Sequence, residues 1–140
     1  MGRHLLGRVA EDLFLRLYAA NLSRNRRNDP STACSDAVRQ FAALGGMVST
    51  TVYIAIGIAL APELLRHMYA VDWTFLATAA GAGGAAGLWG WWKFRGFKDN
   101  PTAAAPYRSR ASVRAINVLY IAVPITWAWI LGLTLHFIGK

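Results

Sequence analysis

The chain has 140 residues, of which 55% are hydrophobic, and it combines a positive mean hydropathy of +0.30 with a formal net charge of +8. This length suits a single domain, and the only cysteine, Cys34, excludes an internal disulfide and a cysteine-based metal motif. High apolar content and high charge coexist when the charges are segregated from the apolar segments. That segregation predicts an all-α polytopic membrane protein.

Residues 1–40 are predicted to form a basic cytoplasmic segment that consists of an amphipathic helix and a linker. Over residues 3–22, apolar side chains recur at helical spacing and cover one half of the helix. Because an apolar half-helix is unfavourable in water, we expect it to lie in the membrane interface or against a partner. The predicted apolar face comprises Leu5, Leu6, Val9, Ala10, Leu13, Phe14, Leu17 and Ala20, and the opposite face comprises Arg8, Glu11, Asp12, Leu15, Ala19 and Leu22.

The polar stretch that follows this helix is predicted to be a linker. Pro30 is expected to stop helical structure, and a new helix is expected to start at Ser35 or Asp36 and lead into the membrane. The linker also contains a basic cluster that suits anionic lipid or an acidic partner surface, and no nucleic acid is expected. This cluster consists of Arg24, Arg26 and Arg27.

Three apolar segments without Asp, Glu, Lys or Arg are predicted to be transmembrane helices, and together they form a membrane domain over residues 41–140. Each has the roughly 20 residues that a helix needs to cross the hydrocarbon core. Of the 15 lysines and arginines, all but Arg66 and Lys140 lie in segments 1–40 and 93–114. By the positive-inside rule these two segments are cytoplasmic and the carboxyl terminus is outside. The predicted spans are residues 41–62, 73–92 and 115–139.

The second span carries small residues on one face, which predicts close packing against another helix. Helices in lipid associate largely by van der Waals contact, and small side chains let their backbones approach. The predicted packing face comprises Ala79, Gly83, Gly87 and Gly90, and it includes a GxxxG pattern. Aromatic and basic residues at both ends are predicted to anchor the span at the membrane interfaces. The predicted anchors are Trp73, Trp89, Trp91, Trp92, Lys93 and Arg95.

No catalytic residue, metal site or cofactor is predicted. The spans contain no ionisable carboxylate, lysine or arginine, which disfavours a proton-coupled transporter, and no common catalytic or nucleotide-binding motif is present. The only candidate metal ligands are Glu63, His67 and His136, near the outer face. Lipid contacts are expected, and a haem, quinone or pigment shared with partner chains stays open. Trp127 and Trp129 are expected to face lipid or to pack against other helices, and the alternative is that they line a quinone or pigment pocket.

These features predict a small non-catalytic accessory or structural subunit of a larger inner-membrane complex. The expected partners are the lipid bilayer and other membrane subunits, in a hetero- or homo-oligomer. The alternative is a self-oligomerising protein that permeabilises membranes, of the holin or toxic-effector type, or a membrane immunity or inhibitor protein. The bacterial inner membrane is the expected location, and the arginine-rich start leaves the mitochondrial inner membrane as an alternative.

Overall fold

The computed structural model of the chain describes residues 2–24, 29–60, 63 and 72–138. The described residues are almost entirely helical and contain no strand, which confirms the prediction of an all-α protein. Two short 3₁₀ helices connect the third and fourth α-helices. In chain order the elements are α1 (Gly2–Arg24), α2 (Pro30–Leu60), α3 (Asp72–Phe94), the 3₁₀ helices Arg95–Asp99 and Pro101–Tyr107, and α4 (Arg110–Ile138).

Helix α2 begins at Pro30, which is the residue expected to stop a helix. The Asp29 carboxylate accepts hydrogen bonds from the backbone N–H groups of Ser31 and Thr32, at 3.3 and 3.1 Å. Asp29 therefore caps the helix, and proline is well suited to the first helical position because its missing N–H would have no partner there. The prediction that a new helix starts at Ser35 or Asp36 is wrong, since α2 starts at Pro30 and runs without a break to Leu60. Residues 25–28 of the predicted linker lie outside the described residues.

Helix α1 forms as predicted, but it does not have one buried side and one exposed side. Its first half is mostly exposed and its second half is buried on nearly all sides. The first turns are exposed, including Leu5, Leu6 and Val9 from the predicted apolar face. From Phe14 to Leu22 nearly every side chain is buried, and this includes three from the face predicted to lie opposite the apolar one. That part of the prediction is wrong because the second half of α1 is surrounded by the rest of the chain. The three residues are Leu15, Ala19 and Leu22.

The core lies at one end of the molecule, here called the base, where α2 begins, α3 ends and α4 begins. Helix α1 packs there against α2, α4 and the second 3₁₀ helix. The Phe14 and Phe94 rings stack 4.3 Å apart at an interplanar angle of 8°, and the Tyr18 hydroxyl donates a hydrogen bond to the Phe97 carbonyl at 3.1 Å. These contacts tie α1 to the end of α3. The largest fully buried side chains are Tyr18, Phe14, Phe94, Leu17 and Thr50.

Two described helices, not three, are long and apolar enough to cross a membrane. They are the stretches Pro30–Gly57 and Arg110–Thr134. Helix α3, which covers the predicted second span, has sufficient length, but its many glycines and tryptophans contribute little hydropathy. Only 6% of the most apolar part of Arg110–Thr134 is buried within the chain. Most of the side-chain surface of α4 is therefore available to lipid or to another protein.

Replacing Phe14 with alanine is expected to destabilise the fold by about 3–5 kcal/mol, because it removes a fully buried ring from a packed core. The thermal unfolding midpoint of the purified protein in detergent measures this effect. Val9→Ala in the exposed part of α1 is the control and is expected to cost less than about 0.5 kcal/mol. Similar losses for both variants would contradict burial of α1 in the base.

Burial also predicts that stability depends on pH through Tyr18. Desolvation raises the pKa of Tyr18 from its ordinary value of 10.0 to about 12. The unfolded chain loses this proton near pH 10 while the folded chain retains it, so the contribution is complete below pH 10 and is lost as pH rises through 12. We expect the stability difference between the parent and Tyr18→Phe to shrink over that window in thermal unfolding. A constant difference would show that Tyr18 titrates as an exposed phenol.

A small-residue interface and a basic end

Helices α2 and α3 pack at backbone distance, through small residues on both. A Cβ atom built on Gly87 would lie 3.1 Å from the Cβ of Ala42, and one built on Gly83 would lie 3.7 Å from the Ala42 carbonyl oxygen. From the other side, a Cβ on Gly45 would lie 2.9 Å from the Cβ of Ala86. The paired residue numbers rise on one helix as they fall on the other, so the helices are antiparallel. Such spacing leaves no room for a larger side chain.

The structure thus brings Gly83, Gly87 and Gly90 of the predicted packing face together against α2. At Gly90 the neighbour is the Phe41 ring, whose Cδ1 would lie 3.1 Å from an added Cβ. The side chain of Ala79, the fourth predicted member, lies outside the described residues. The face therefore meets a helix of the same chain over at least two turns.

A second face of α3, about 120° around the helix from the packing face at 100° per residue, contains two glycines and is exposed. Gly81 and Gly84 have no atom within 4 Å of an added Cβ, and Ala77 and Leu88 continue the same face at spacings of three or four residues. All four are exposed within the chain. We call Ala77, Gly81, Gly84 and Leu88 the open face of α3.

The threonines beside the interface satisfy their hydroxyls within their own helix. Thr50 Oγ1 donates to the Gly46 carbonyl at 2.7 Å, and Thr51 Oγ1 donates to the Met47 carbonyl at 2.9 Å. Thr134 in α4 makes the same kind of bond to Ile130 at 2.7 Å. These side chains therefore direct little hydrogen-bonding capacity away from their helices.

The predicted anchors of α3 form an aromatic and basic rim at the base. Trp89 stacks on Phe41 with ring centroids 6.0 Å apart, and Lys93 Nζ lies 5.2 Å from the Trp89 ring. The Arg95 guanidinium lies 5.3 Å from the Trp91 ring, and Trp92 is 65% exposed. Rings that are partly exposed beside cations suit a boundary between apolar and polar surroundings. The side chain of Trp73 lies outside the described residues.

Polar side chains of α1 connect it to the neighbouring helices of the base. Arg16 donates to the Asp12 carboxylate at 2.8 Å and to Ser112 Oγ of α4 at 3.3 Å. Its hydrogen bond holds the pKa of Asp12 below the usual range. Asn21 donates to Gln40 Oε1 of α2 at 2.8 Å. Sequence reasoning missed this role of α1, although the polar residues Arg16 and Asn21 inside an apolar run were a sign of it.

The predicted basic cluster is described only at Arg24, whose guanidinium donates to Asn117 Oδ1 of α4 at 2.9 Å. Arg26 and Arg27 lie outside the described residues. Arg24 thus holds the end of α1 beside the start of α4.

The candidate metal ligands do not assemble into a site within the described part of the chain. Glu63 and His136 are exposed, and His67 lies outside the described residues. Within those residues no group of three or more His, Cys, Asp or Glu side chains is placed to hold a metal ion.

An apolar groove of about 310 Å³ separates α2 from α4. Met47, Val52 and Trp127 are among its lining residues. Trp129 points elsewhere and is 68% exposed, because residues two positions apart on a helix face different directions. The two candidate tryptophans therefore do not line one pocket.

No protein-family model matches the chain, and no curated protein or solved structure is significantly similar to it. The function proposed below consequently depends on the geometry and charge of this chain alone.

Gly87→Ile is expected to lower the thermal unfolding midpoint of the isolated chain, since the added atoms meet Ala42 across the interface. Overpacking of this kind costs about 1–3 kcal/mol. Gly84→Ile is the matched control, because an added Cβ there meets nothing within 4 Å. Equal midpoints for the two variants would contradict close packing of α2 on α3.

Proposed function

We propose that this chain is a small, non-catalytic, three-span subunit of a larger inner-membrane complex, with its base in the cytoplasm. In this proposal α2 and α4, the two described helices that are apolar enough to cross a bilayer, span it together with the less apolar α3, which packs along α2. The base fixes their relative positions. The subunit would contribute helix surfaces for packing and would carry no chemistry of its own.

The observation that carries the proposal is the open face of α3. Glycine in a helix costs roughly 1 kcal/mol relative to alanine, and in lipid that cost is offset where a second helix packs closely against it. On one side of α3 this neighbour is α2. On the open face, Gly81 and Gly84 have no neighbour among the described residues, and a helix from another subunit would provide one.

The distribution of charge and aromatic residues supports the orientation. Within the described residues, the lysines and arginines of α3, α4 and the 3₁₀ segment lie at or next to the base, and those of α1 lie along the helix that packs there. The aromatic rim at the end of α3 separates them from the apolar parts of the helices. Basic residues on one side of apolar helices favour a cytoplasmic position for that side.

Three threonine hydroxyls of the helices give no support to a pore. A pore-forming oligomer needs a polar stripe that faces water in the assembly. Thr50, Thr51 and Thr134 instead donate to carbonyls of their own helices. The self-oligomerising alternative therefore has less support than a subunit role.

Co-purification tests the proposal. The tagged chain is extracted with mild detergent from cells that carry its gene naturally, as the parent and as Gly81→Ile/Gly84→Ile. We expect the double variant to reach the membrane, since isoleucine partitions into lipid more readily than glycine, and to keep its own unfolding midpoint. Recovery of stoichiometric partner subunits should fall about tenfold or more, equivalent to about 1.4 kcal/mol of association energy.

Ala55→Ile/Ala59→Ile is the control, because it enlarges two exposed small residues on α2 at a similar spacing. Unchanged partner recovery with this control and loss with the α3 variant would support the proposal. Equal recovery with both would refute the role of the open face. Recovery of the chain with itself alone, together with dye release from vesicles, would favour the permeabilising alternative.

A further inference from the structure

A cavity of about 590 Å³ at the base is lined by basic residues on one side and by apolar residues on the other. It lies beside the start of α4. The basic side consists of Arg108, Arg110 and Arg114, and the apolar side includes Val118 and Ile121.

The three arginines are not neutralised by the described part of the chain. The ion pairs among the described residues join Arg16 to Asp12 and Arg39 to Asp36, and neither involves the cavity. Asn117, which also lines it, accepts a hydrogen bond from Arg24, so a fourth guanidinium lies at its edge. A concave site with this many guanidinium groups favours an anion, above all a phosphate that can accept paired hydrogen bonds.

The apolar residues of the cavity lie on the same face of α4 as two of its arginines, and exposed apolar residues continue along that face. At 100° per residue, Arg110 and Arg114 share a face with the exposed side chains of Val118, Ile121 and Ile125. An anion site at the head of an exposed apolar strip matches a molecule with a phosphate at one end and hydrocarbon at the other.

We propose that this cavity binds one anionic glycerophospholipid, with its phosphate at Arg108, Arg110 and Arg114 and an acyl chain along Val118 and Ile121. The inference depends on the proposed membrane location. It differs from general attraction of basic residues to a charged bilayer because it assigns one lipid to one cavity. A second basic cavity, near Arg95, is less available, since Arg95 stacks on Trp91 and the neighbouring Arg39 pairs with Asp36.

Lipid-induced thermal stabilisation of the detergent-purified full chain tests the site. Phosphatidylglycerol, phosphatidylcholine and inorganic phosphate are titrated separately. We expect stabilisation by phosphatidylglycerol at concentrations at least about tenfold lower than by phosphatidylcholine, and none by inorganic phosphate at matched concentration. Each arginine of the cavity is expected to make a charge-assisted contact with the bound phosphate, which strengthens binding by roughly fivefold. Arg108→Gln/Arg110→Gln/Arg114→Gln should therefore raise the half-saturating phosphatidylglycerol concentration about 100-fold.

The charge-matched control is Arg39→Gln/Arg95→Gln/Lys98→Gln, which should change that concentration less than about threefold. Equal effects of the two triple variants would overturn the assigned site in favour of diffuse charge attraction. Stabilisation by inorganic phosphate equal to that by phosphatidylglycerol would assign the cavity to a free anion. No difference between phosphatidylglycerol and phosphatidylcholine would also overturn the inference.

Ile121→Ser provides a second variant that retains every arginine and does not depend on the folding of the triple variant. It should weaken binding of long-chain phosphatidylglycerol about threefold or more and leave a short-chain analogue unaffected, whereas equal effects on both would exclude the acyl-chain contact. Resistance of the chain to extraction from membranes at alkaline pH separates the two proposals. If alkaline treatment extracts the parent chain from membranes, the membrane role itself is refuted. If the parent chain resists extraction but does not prefer phosphatidylglycerol to phosphatidylcholine, only the lipid site is refuted.

Discussion

The contact on which the rest of the structure depends is the stacking of Phe14 on Phe94 at the base. It joins α1 to the end of α3, and Tyr18 adds a hydrogen bond to Phe97 in the segment that follows. Helix α1 also bonds to α2 through Asn21 and to α4 through Arg16. The buried second half of α1 therefore connects the other helices at this end, and it fixes the position of α4 relative to the close pair of α2 and α3.

Away from the base the helices hold together unequally. Helix α3 packs on α2 at backbone distance through Gly83 and Gly87, whereas α4 is separated from α2 by an apolar groove and keeps most of its surface exposed. This difference follows from side-chain size, since small residues permit close approach and larger ones hold helices apart. Because of this unequal packing, α3 has an open glycine face. Helix α4 has a broad exposed apolar strip that begins next to arginines at the base. Both proposals use surfaces that the chain itself does not cover.

The sequence pattern predicted the helical class, because the spacing of small and apolar residues is a local property. Of the three predicted spans, two lie in helices that are long and apolar enough to cross a membrane. The pattern failed at Pro30, where the capping geometry of Asp29 turned an expected stop into a helix start. It also failed at Leu15 and Ala19, since neighbours from distant parts of the chain surround α1 and override its apparent two-sided pattern. The cavity at the start of α4 was also not predicted, because Ser23 at the end of α1 and Arg108 of the connecting segment complete a lining that α4 otherwise provides. Long-range packing of this kind leaves no periodic trace.

The length of α2 has a mechanical consequence. Its 31 residues extend for about 46 Å at 1.5 Å per residue, while the hydrocarbon core of a bilayer is about 30 Å thick. In the proposed orientation about 16 Å of continuous helix would project beyond the hydrocarbon, and α1 is fastened to this projecting part. Because α2 has no break between the part in the hydrocarbon and the projecting part, a tilt of the first would also move the second. A change in bilayer thickness would thus be transmitted directly to the cytoplasmic surface of the subunit.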